Sequence, residues 1–262
     1  MELAYREQTM SSISVVIPVL NDAALLARCL DALQAGSRRP DEVVVVDNGS
    51  SDDSAAVARG RGARVVVEPR LGIAPASAAG FDAATGDLIA RIDADCVPGS
   101  DWLRHVEARF AGDPDLDALT GSADFVDAGR VTAWVGRVAY LGWYFWAMGL
   151  LLGHPPFFGS NLAMRSSAWT QLRGGFHRES ATVHDDLDLS FQVPPGMVVV
   201  YDDARLMGIS ARPFDSLDSF AVRSWRGVAT IARNWPGWMR RRYLVARAAG
   251  GRRSAAEAVT PA

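Results

Sequence analysis

Short apolar runs alternate with helix-like segments over the first hundred residues. Four runs, at residues 12–19, 42–47, 63–68 and 87–93, are almost continuously apolar, and the segments between them have helical periodicity or Ser/Asp caps. Near-continuous apolar strands separated by helices are typical of a parallel sheet covered on both faces. The pattern therefore predicts an α/β fold with right-handed crossovers and a ligand site at the carboxyl ends of the strands.

The rest of the chain is less regular but adds no repeat and no long linker. Helices are predicted at residues 102–110 and 183–193, and a short strand at 197–203. Residues 216–247 are predicted to be helical, with an interruption at Trp235-Pro236-Gly237 because proline lacks the backbone N–H. We therefore expect one domain over residues 13–215, followed by a basic, aromatic helical extension and tail over 216–262.

Composition narrows the possible chemistry. The apolar fraction is 49% and the charged fraction 22%, as in ordinary globular proteins, and two distant cysteines form neither a metal motif nor a disulfide framework. All 27 basic residues are arginine, so the chain has no Schiff-base lysine and no Walker A loop. The first residues contain no apolar stretch typical of a secretory signal, which favours a cytoplasmic location.

Charge and aromatic residues are unevenly distributed. Residues 1–204 carry 16 Arg and 27 acids, whereas residues 205–262 carry 11 Arg and 3 acids. The basic end is either a solvated helix or a site for an anionic partner. Residues 134–158 hold eight aromatics, and residues 138–153 are uncharged but too few to span a bilayer. This segment fits a buried core helix, an interfacial helix or an acceptor wall, so an anionic membrane surface is a candidate partner, while no nucleic acid is expected.

Acidic residues follow three of the predicted parallel strands. Asp22 follows the first strand, Asp47 ends the second, and Asp93 and Asp95 end the fourth. No Gly-x-Gly-x-x-Gly motif follows the first strand, so the phosphate-binding turn of a dinucleotide fold is absent. A strand-end Asp can accept hydrogen bonds from a base or ribose, and an Asp-x-Asp pair can bind a divalent cation. One such Asp is usually a turn residue, but three acidic strand ends together favour a nucleotide site.

A second acidic cluster lies at residues 184–188, with the sequence His-Asp-Asp-Leu-Asp. It could be the N-terminal cap of a helix, where acids complement the helix dipole. It could also supply a carboxylate that takes the proton from an attacking hydroxyl.

These motifs, in this order, resemble the family 2 glycosyltransferases of GT-A fold over roughly residues 13–230. The segments that carry the resemblance are Ile17-Pro18-Val19-Leu20-Asn21-Asp22, Val46-Asp47-Asn48-Gly49-Ser50-Ser51-Asp52, Ile92-Asp93-Ala94-Asp95, Gly159-Ser160-Asn161 and His184-Asp185-Asp186-Leu187-Asp188-Leu189-Ser190. The resemblance implies a single Rossmann-like GT-A domain with a mostly parallel central sheet, helices on both faces and a helical C-terminal extension. It also implies a nucleotide-diphosphate sugar donor, Mn²⁺ or Mg²⁺, and an inverting single displacement.

The resemblance also assigns roles by position. Asp186 would be the catalytic base, with Asp185 beside it where the family usually has Glu, and Asp95 would bind the metal together with Asp93. The implied donor-binding residues are Pro18, Val19, Asp22, Asp47, Asp93, Arg70, Arg223 and Arg226. The implied acceptor-binding residues are Gly159, Ser160, Asn161 and Trp225.

Two positions depart from the family pattern. Ala76-Ser77-Ala78 stands where Ala-Arg-Asn is common, so Arg70 or Arg91 would have to replace that arginine, and Asn48 stands where a second acid is common.

The sequence thus predicts a metal-dependent inverting glycosyltransferase that is cytoplasmic or peripheral on the inner face of the cell membrane. Its acceptor would be a saccharide or a lipid-linked or cell-envelope glycan. Two alternatives are a sugar-phosphate nucleotidyltransferase and a non-catalytic, membrane-associated protein that binds sugar nucleotides.

Overall fold

The structure is a computed structural model that describes residues 11–127, 129, 134–211 and 225–239. The strands are β1 (Ile13–Val19), β2 (Glu42–Asp47), β3 (Arg64–Val67), β4 (Leu88–Arg91), β5 (Val97–Pro98), β6 (Ala118–Gly121), β7 (Asp124–Phe125), β8 (Leu162–Arg165), β9 (Val199–Asp202) and β10 (Met207–Ile209). The helices are α1 (Ala23–Ala35), α2 (Ser54–Gly60), α3 (Ile73–Ala83), α4 (Trp102–Gly112), α5 (Gly142–Leu152), α6 (Ser166–Leu172), α7 (Asp185–Ser190) and α8 (225–239).

A seven-stranded sheet in the order β3-β2-β1-β4-β8-β6-β9 forms the centre of the molecule. Every neighbouring pair is parallel except those of β8, which runs antiparallel to β4 and β6. The predicted α/β fold with a mostly parallel sheet is confirmed. A second sheet, β5-β10-β7, was not predicted, because strands of two or three residues show no periodicity.

Apolar side chains fill both faces of the sheet. Val15 and Ile17 of β1 belong to the same buried cluster as Leu26 of α1, whereas Val16 belongs to the opposite cluster, with Phe81 of α3. Helix α3 packs unusually close to the sheet at Gly80, where an added Cβ would lie 2.3 Å from Val16 Cγ1. The alternation along β1 is the period-two pattern of a strand buried on both faces.

Helix α8 lies in the predicted C-terminal extension and differs from the prediction in one respect. It continues through Pro236, so the expected interruption at residues 235–237 is wrong. The Trp235 and Trp238 rings lie 5.2 Å apart, and the Trp238 ring lies 6.4 Å from that of Phe191 in α7. These contacts offset the single hydrogen bond that Pro236 cannot make. The predicted domain boundary at residue 215 lies outside the described residues.

The aromatic segment is helical over residues 134–152. A π-helical stretch, Gly136–Leu141, leads directly into α5. Among the helices in the described ranges, none is long and apolar enough to cross a membrane.

Candidate active site

Backbone and side-chain hydrogen bonds lock together the loops that follow β1 and β2. The backbone N–H of Asn21 donates to Ser50 Oγ at 3.1 Å, and the Ser51 N–H donates to Asn21 Oδ1 at 2.7 Å. Asp47 accepts the Ser50 N–H at 3.0 Å. The carboxylates of Asp22 and Asp47 thus follow adjacent parallel strands at one edge of the sheet.

Asn48 has a structural role that explains its departure from the family pattern. Its side chain, 4% exposed, donates to the carbonyls of Glu68 at 2.9 Å and Arg70 at 2.7 Å. It also accepts the Gly72 N–H at 2.7 Å. An amide can both donate and accept, whereas a carboxylate can only accept, so Asn at this position fixes the segment after β3.

Three of the predicted donor residues have surroundings that limit their roles. Arg70 is ion-paired with Glu68 at 2.8 Å and also with Glu179, so its charge is already compensated. Pro18 and Val19 are buried within β1, and they shape the strand end without exposing a side chain there. The donor roles of these residues remain predictions.

Asp93 and Asp95 lie together just after β4, with Cys96 beside them. Their potential ligand atoms all lie within 4.8 Å of one another. Burial, reinforced by the two carboxylates, raises the pKa of the Cys96 thiol well above its usual range. The thiol therefore stays protonated, and it lies 3.7 Å from the Ser160 carbonyl oxygen, to which it donates. Two carboxylates without a thiolate suit a hard cation such as Mg²⁺ or Mn²⁺.

Arg91, the last residue of β4, connects this metal-type pair to the second acidic cluster. Its side chain is 3% exposed, and Nη2 lies 3.0 Å from both Asp93 Oδ1 and Asp185 Oδ2. Burial opposes its charge, yet Asp185, Asp93 and Asp186 outweigh burial and raise the pKa of Arg91. Among the described residues, its Nε is the buried side-chain atom without a hydrogen-bond partner. An arginine that interrupts the apolar run of β4 was the sequence signal for this role.

Gly159 leaves the space that Arg91 occupies. A Cβ at residue 159 would lie 1.9 Å from Arg91 Nη1. The Gly159 backbone N–H donates to Asp186 Oδ2 at 3.0 Å, so this glycine touches both the arginine and the predicted base. Its importance is geometric and does not depend on a side chain.

Asp185 and Asp186 begin α7 but have different surroundings. Asp185 is buried, accepts a hydrogen bond from Ser77 Oγ at 2.5 Å and forms an ion pair with Arg91, so its orientation is fixed. Asp186 accepts hydrogen bonds from backbone donors, the N–H groups of Gly159 and, at 2.7 Å, of Leu187. Desolvation and the neighbouring Asp185 raise the pKa of Asp186. Asp186 therefore has the stronger basicity that general-base chemistry requires.

Asp188 is a structural residue. Its side chain is fully buried and accepts from His177 Nδ1 and from Asn234 Nδ2, each at 2.7 Å. The His184 N–H donates to Thr230 Oγ1 at 2.9 Å. These bonds join α7 to α8 and to the loop that carries His177. Asp188, the third acid of the cluster, and His184 therefore hold α7 in place against α8.

The predicted acceptor residues also have different surroundings: one contacts a carboxylate of the site, one is bonded within the fold, and one is exposed. Ser160 Oγ donates to Asp93 Oδ2 at 2.6 Å and so orients a metal-type carboxylate. The Asn161 amide accepts from Trp102 Nε1 at 3.0 Å and donates to the Ser122 carbonyl at 2.9 Å, which commits it to the fold. Trp225 is 70% exposed at the start of α8, Arg226 beside it is also exposed, and Arg223 lies outside the described residues.

Tyr144 shows that α5 borders the site, a contact the sequence did not reveal. Its hydroxyl donates to the Phe157 carbonyl at 2.8 Å, two residues before Gly159. Burial and the nearby Asp186 carboxylate raise the pKa of Tyr144 well above its usual range.

The fold is that of the GT-A glycosyltransferases. Glucosyl-3-phosphoglycerate synthase from Mycobacterium tuberculosis, solved with Mn²⁺, UDP-glucose and phosphoglyceric acid, superposes with a TM-score of 0.62 at 23% identity, covering 86% of this chain and 79% of that one. A mannosyltransferase from Pyrobaculum calidifontis, solved with GDP-mannose and Mn²⁺, gives a TM-score of 0.63 at 24% identity, covering 86% and 64%.

The chain belongs to glycosyl transferase family 2, whose model matches residues 14–171. This confirms the family predicted from the motifs. An uncharacterized glycosyltransferase of Mycobacterium tuberculosis is 42% identical over 127 residues, which cover 48% of this chain and 55% of the relative. Glycosyltransferase AglE of Haloferax volcanii is 30% identical over 125 residues, covering 45% and 41%. The chain thus matches about half the length of these relatives.

Proposed function

We propose that this protein is a metal-dependent inverting glycosyltransferase. It would move a sugar from a nucleotide-diphosphate donor to a hydroxyl group of a saccharide or lipid-linked acceptor of the cell envelope. The observation that carries the proposal is the pair of acidic centres joined by Arg91. One is the Asp93–Asp95 pair, and the other holds Asp186 with backbone donors and a raised pKa.

The donor would lie along the carboxyl edge of β1, β2 and β4. Asp22 and Asp47 would accept hydrogen bonds from the base and ribose, and Asp95 with Asp93 would hold Mn²⁺ or Mg²⁺. Such a cation, when bound, would compensate the charge that develops on the leaving diphosphate. The solved structures of similar fold were obtained with Mn²⁺ and a UDP- or GDP-sugar, which supports this assignment.

Asp186 would receive the proton of the acceptor hydroxyl as that hydroxyl attacks the sugar. The Gly159 and Leu187 N–H groups hold the carboxylate in place, and its raised pKa makes it a better proton acceptor. Asp185 is already bound to Ser77 and Arg91, so it would fix the charge around the base without exchanging protons. Because Asp185 and Asp188 are both engaged by side chains, Asp186 is the carboxylate of this cluster that is left to act as a base, which favours a single displacement with inversion.

A cytoplasmic location, peripheral on the inner face of the membrane, is part of the same proposal. Exposed aromatic residues on the helices beside α7 favour an acceptor presented from a lipid surface.

A donor screen tests the proposal. Purified protein is incubated with UDP-, GDP- and dTDP-sugars plus Mn²⁺, and the released nucleotide and the anomeric configuration of the product are measured by NMR. We expect release of nucleoside diphosphate, loss of turnover with EDTA, recovery with Mn²⁺, and an inverted anomeric centre. Pyrophosphate release would instead identify a nucleotidyltransferase, donor binding without turnover a non-catalytic protein, and a retained configuration would contradict the single displacement.

A further inference from the structure

Helix α5 is apolar on every side, yet only one side is covered. On the covered side, Met148, Leu151 and Leu152 pack in a small cluster with Leu187 and Phe191 of α7. On the other side, Trp143 is 63% exposed, Trp146 57% and Leu150 68%. A helix that is apolar all round is normally buried completely or placed against lipid. The uncovered side therefore needs a partner.

The exposed residues form one continuous stripe. Trp143, Trp146 and Leu150 are spaced i, i+3 and i+7, so they share a single face of the helix. Trp134 and Val138 in the preceding turns are also exposed, at 59% and 46%. We call Trp143, Trp146 and Leu150 the aromatic stripe. The chain has no charged residue from 138 to 153, which leaves the stripe without polar interruption in α5.

The positive charge of the neighbouring helix α8 indicates the chemistry of the partner. Helix α8 packs on the same small cluster through Ile231 and Trp238, and it exposes Arg226 and Arg233. Residues 219–256 contain nine arginines and no acid. A second copy of this chain would bring the same cations to the contact, whereas an anionic lipid surface would neutralise them. Exposed tryptophans beside arginines also suit the headgroup region of a bilayer.

We propose that the aromatic stripe of α5 inserts into the headgroup region of an anionic lipid bilayer, with the arginines of α8 on the lipid phosphates. Helix α5 has 11 residues, so it lies in the surface and does not span the bilayer. Helix α5 packs through Leu152 on Leu187, the neighbour of Asp186 in α7, so one helix separates the stripe from the proposed base. This inference rests on the membrane-peripheral location in the proposed function, but flotation tests the bilayer contact without requiring sugar transfer.

The test is co-flotation of the whole chain with phosphatidylcholine vesicles that contain either no phosphatidylglycerol or a large fraction of it. The key variant, Trp143→Gln/Trp146→Gln/Leu150→Gln, replaces the exposed face of α5. Val67→Gln is the matched control, because Val67 is 62% exposed on the edge strand β3. Arg233→Gln tests the charge, with the exposed Arg59→Gln of α2 as its control.

We expect wild type and both controls to float with anionic vesicles, and the triple variant to bind at least about ten-fold more weakly. Arg233→Gln should weaken binding several-fold, and 1 M salt should weaken wild-type binding through screening to about 3 Å. Mn²⁺-dependent UDP binding, measured in parallel for the triple variant, should be unchanged, so loss of folding is recognised.

Several results would overturn the inference. Unchanged flotation of the triple variant would exclude the stripe, and equal binding to neutral and anionic vesicles would exclude the charge contribution. A wild-type dimer in light scattering that the triple variant abolishes would identify a second copy as the occupant. Flotation without any donor turnover would leave the bilayer contact intact while refuting the proposed function.

Discussion

The donor edge and the acceptor side of this protein use similar carboxylates in different ways. At the donor edge, Asp47 and Asp93 are partly exposed: Asp47 accepts the Ser50 N–H, and Asp93 contacts Ser160 Oγ through one oxygen and Arg91 through the other. On the acceptor side, Asp185 and Asp188 are buried and fully engaged. Asp186, which lies between them in the sequence, is instead held by the backbone N–H groups of Gly159 and Leu187. Adjacent acids in one sequence motif therefore have separate functions, which their partners determine.

The sharpest test of this difference replaces Asp186 with Asn. Asn keeps the shape but cannot take a proton, so we expect turnover to fall by about 10²–10⁴-fold. UDP affinity should not change, because Asp186 is held by the N–H groups of Gly159 and Leu187 and the substitution leaves Asp22, Asp47, Asp93 and Asp95 in place. Single-turnover transfer and nucleotide titration measure the two quantities, and the exposed Asp115→Asn serves as the control. Weakened donor binding would mean that the acceptor-side cluster belongs to the donor site.

Asp95→Asn tests the donor edge in the same way. A bound cation stabilises the transition state by several kcal/mol, so its loss should lower turnover by about 10²–10³-fold. Mn²⁺ should no longer increase UDP affinity, which isothermal titration with and without EDTA can measure. Wild-type turnover that is unaffected by chelator would remove the metal from the proposal.

Asp188→Asn should damage stability more than chemistry. The side chain is fully buried and accepts three hydrogen bonds, two from His177 and one from Asn234, so its replacement by an amide weakens them and costs about 2–4 kcal/mol of unfolding free energy. Urea denaturation measures this cost, with Asp115→Asn again as the control. A fully stable Asp188→Asn protein that lacks turnover would show that this carboxylate, too, takes part in the chemistry.

These contrasts mark the limit of what the sequence could predict. The strands β1 to β4 were predictable because each is an apolar run between helix-like segments. The acids at the ends of β1, β2 and β4 followed from their positions after these runs. The separate roles of Asp185, Asp186 and Asp188 were not, because partners such as Ser77 and Asn234 lie 108 and 46 residues away in the chain. Asn161 was predicted to bind the acceptor, but its side chain is hydrogen-bonded to Trp102 and to the Ser122 carbonyl. The sequence did not predict these bonds, because both partners are distant in the chain.

Gly159→Ala tests the link between the two regions. The added methyl would lie 1.9 Å from Arg91 Nη1, so the guanidinium must shift away from Asp93 and Asp185. We expect about a ten-fold loss of turnover, since small misplacements of catalytic groups already cost up to about 10². Gly112→Ala is the control, because nothing lies within 4 Å of a Cβ there. Arg91→Lys keeps the positive charge but lacks the planar guanidinium, so its turnover should resemble that of Gly159→Ala. Normal turnover of Gly159→Ala would show that Arg91 does not link the two regions.

The smallest expected effect is a change in pH dependence that separates Asp185 from Asp186. Asp186 must be ionised to accept a proton, and its pKa is raised by desolvation and by Asp185. Turnover should therefore decline, as the pH falls, at a value above that of an ordinary aspartate near 3.9. Asp185→Asn removes the neighbouring carboxylate, so the pKa of Asp186 should fall. The decline of turnover at low pH, the acid limb, should then move to lower pH by about one unit or less.

The measurement is kcat/KM against pH for both proteins at saturating Mn²⁺. A limb that stays in place, or moves to higher pH, would show that Asp186 is not the base.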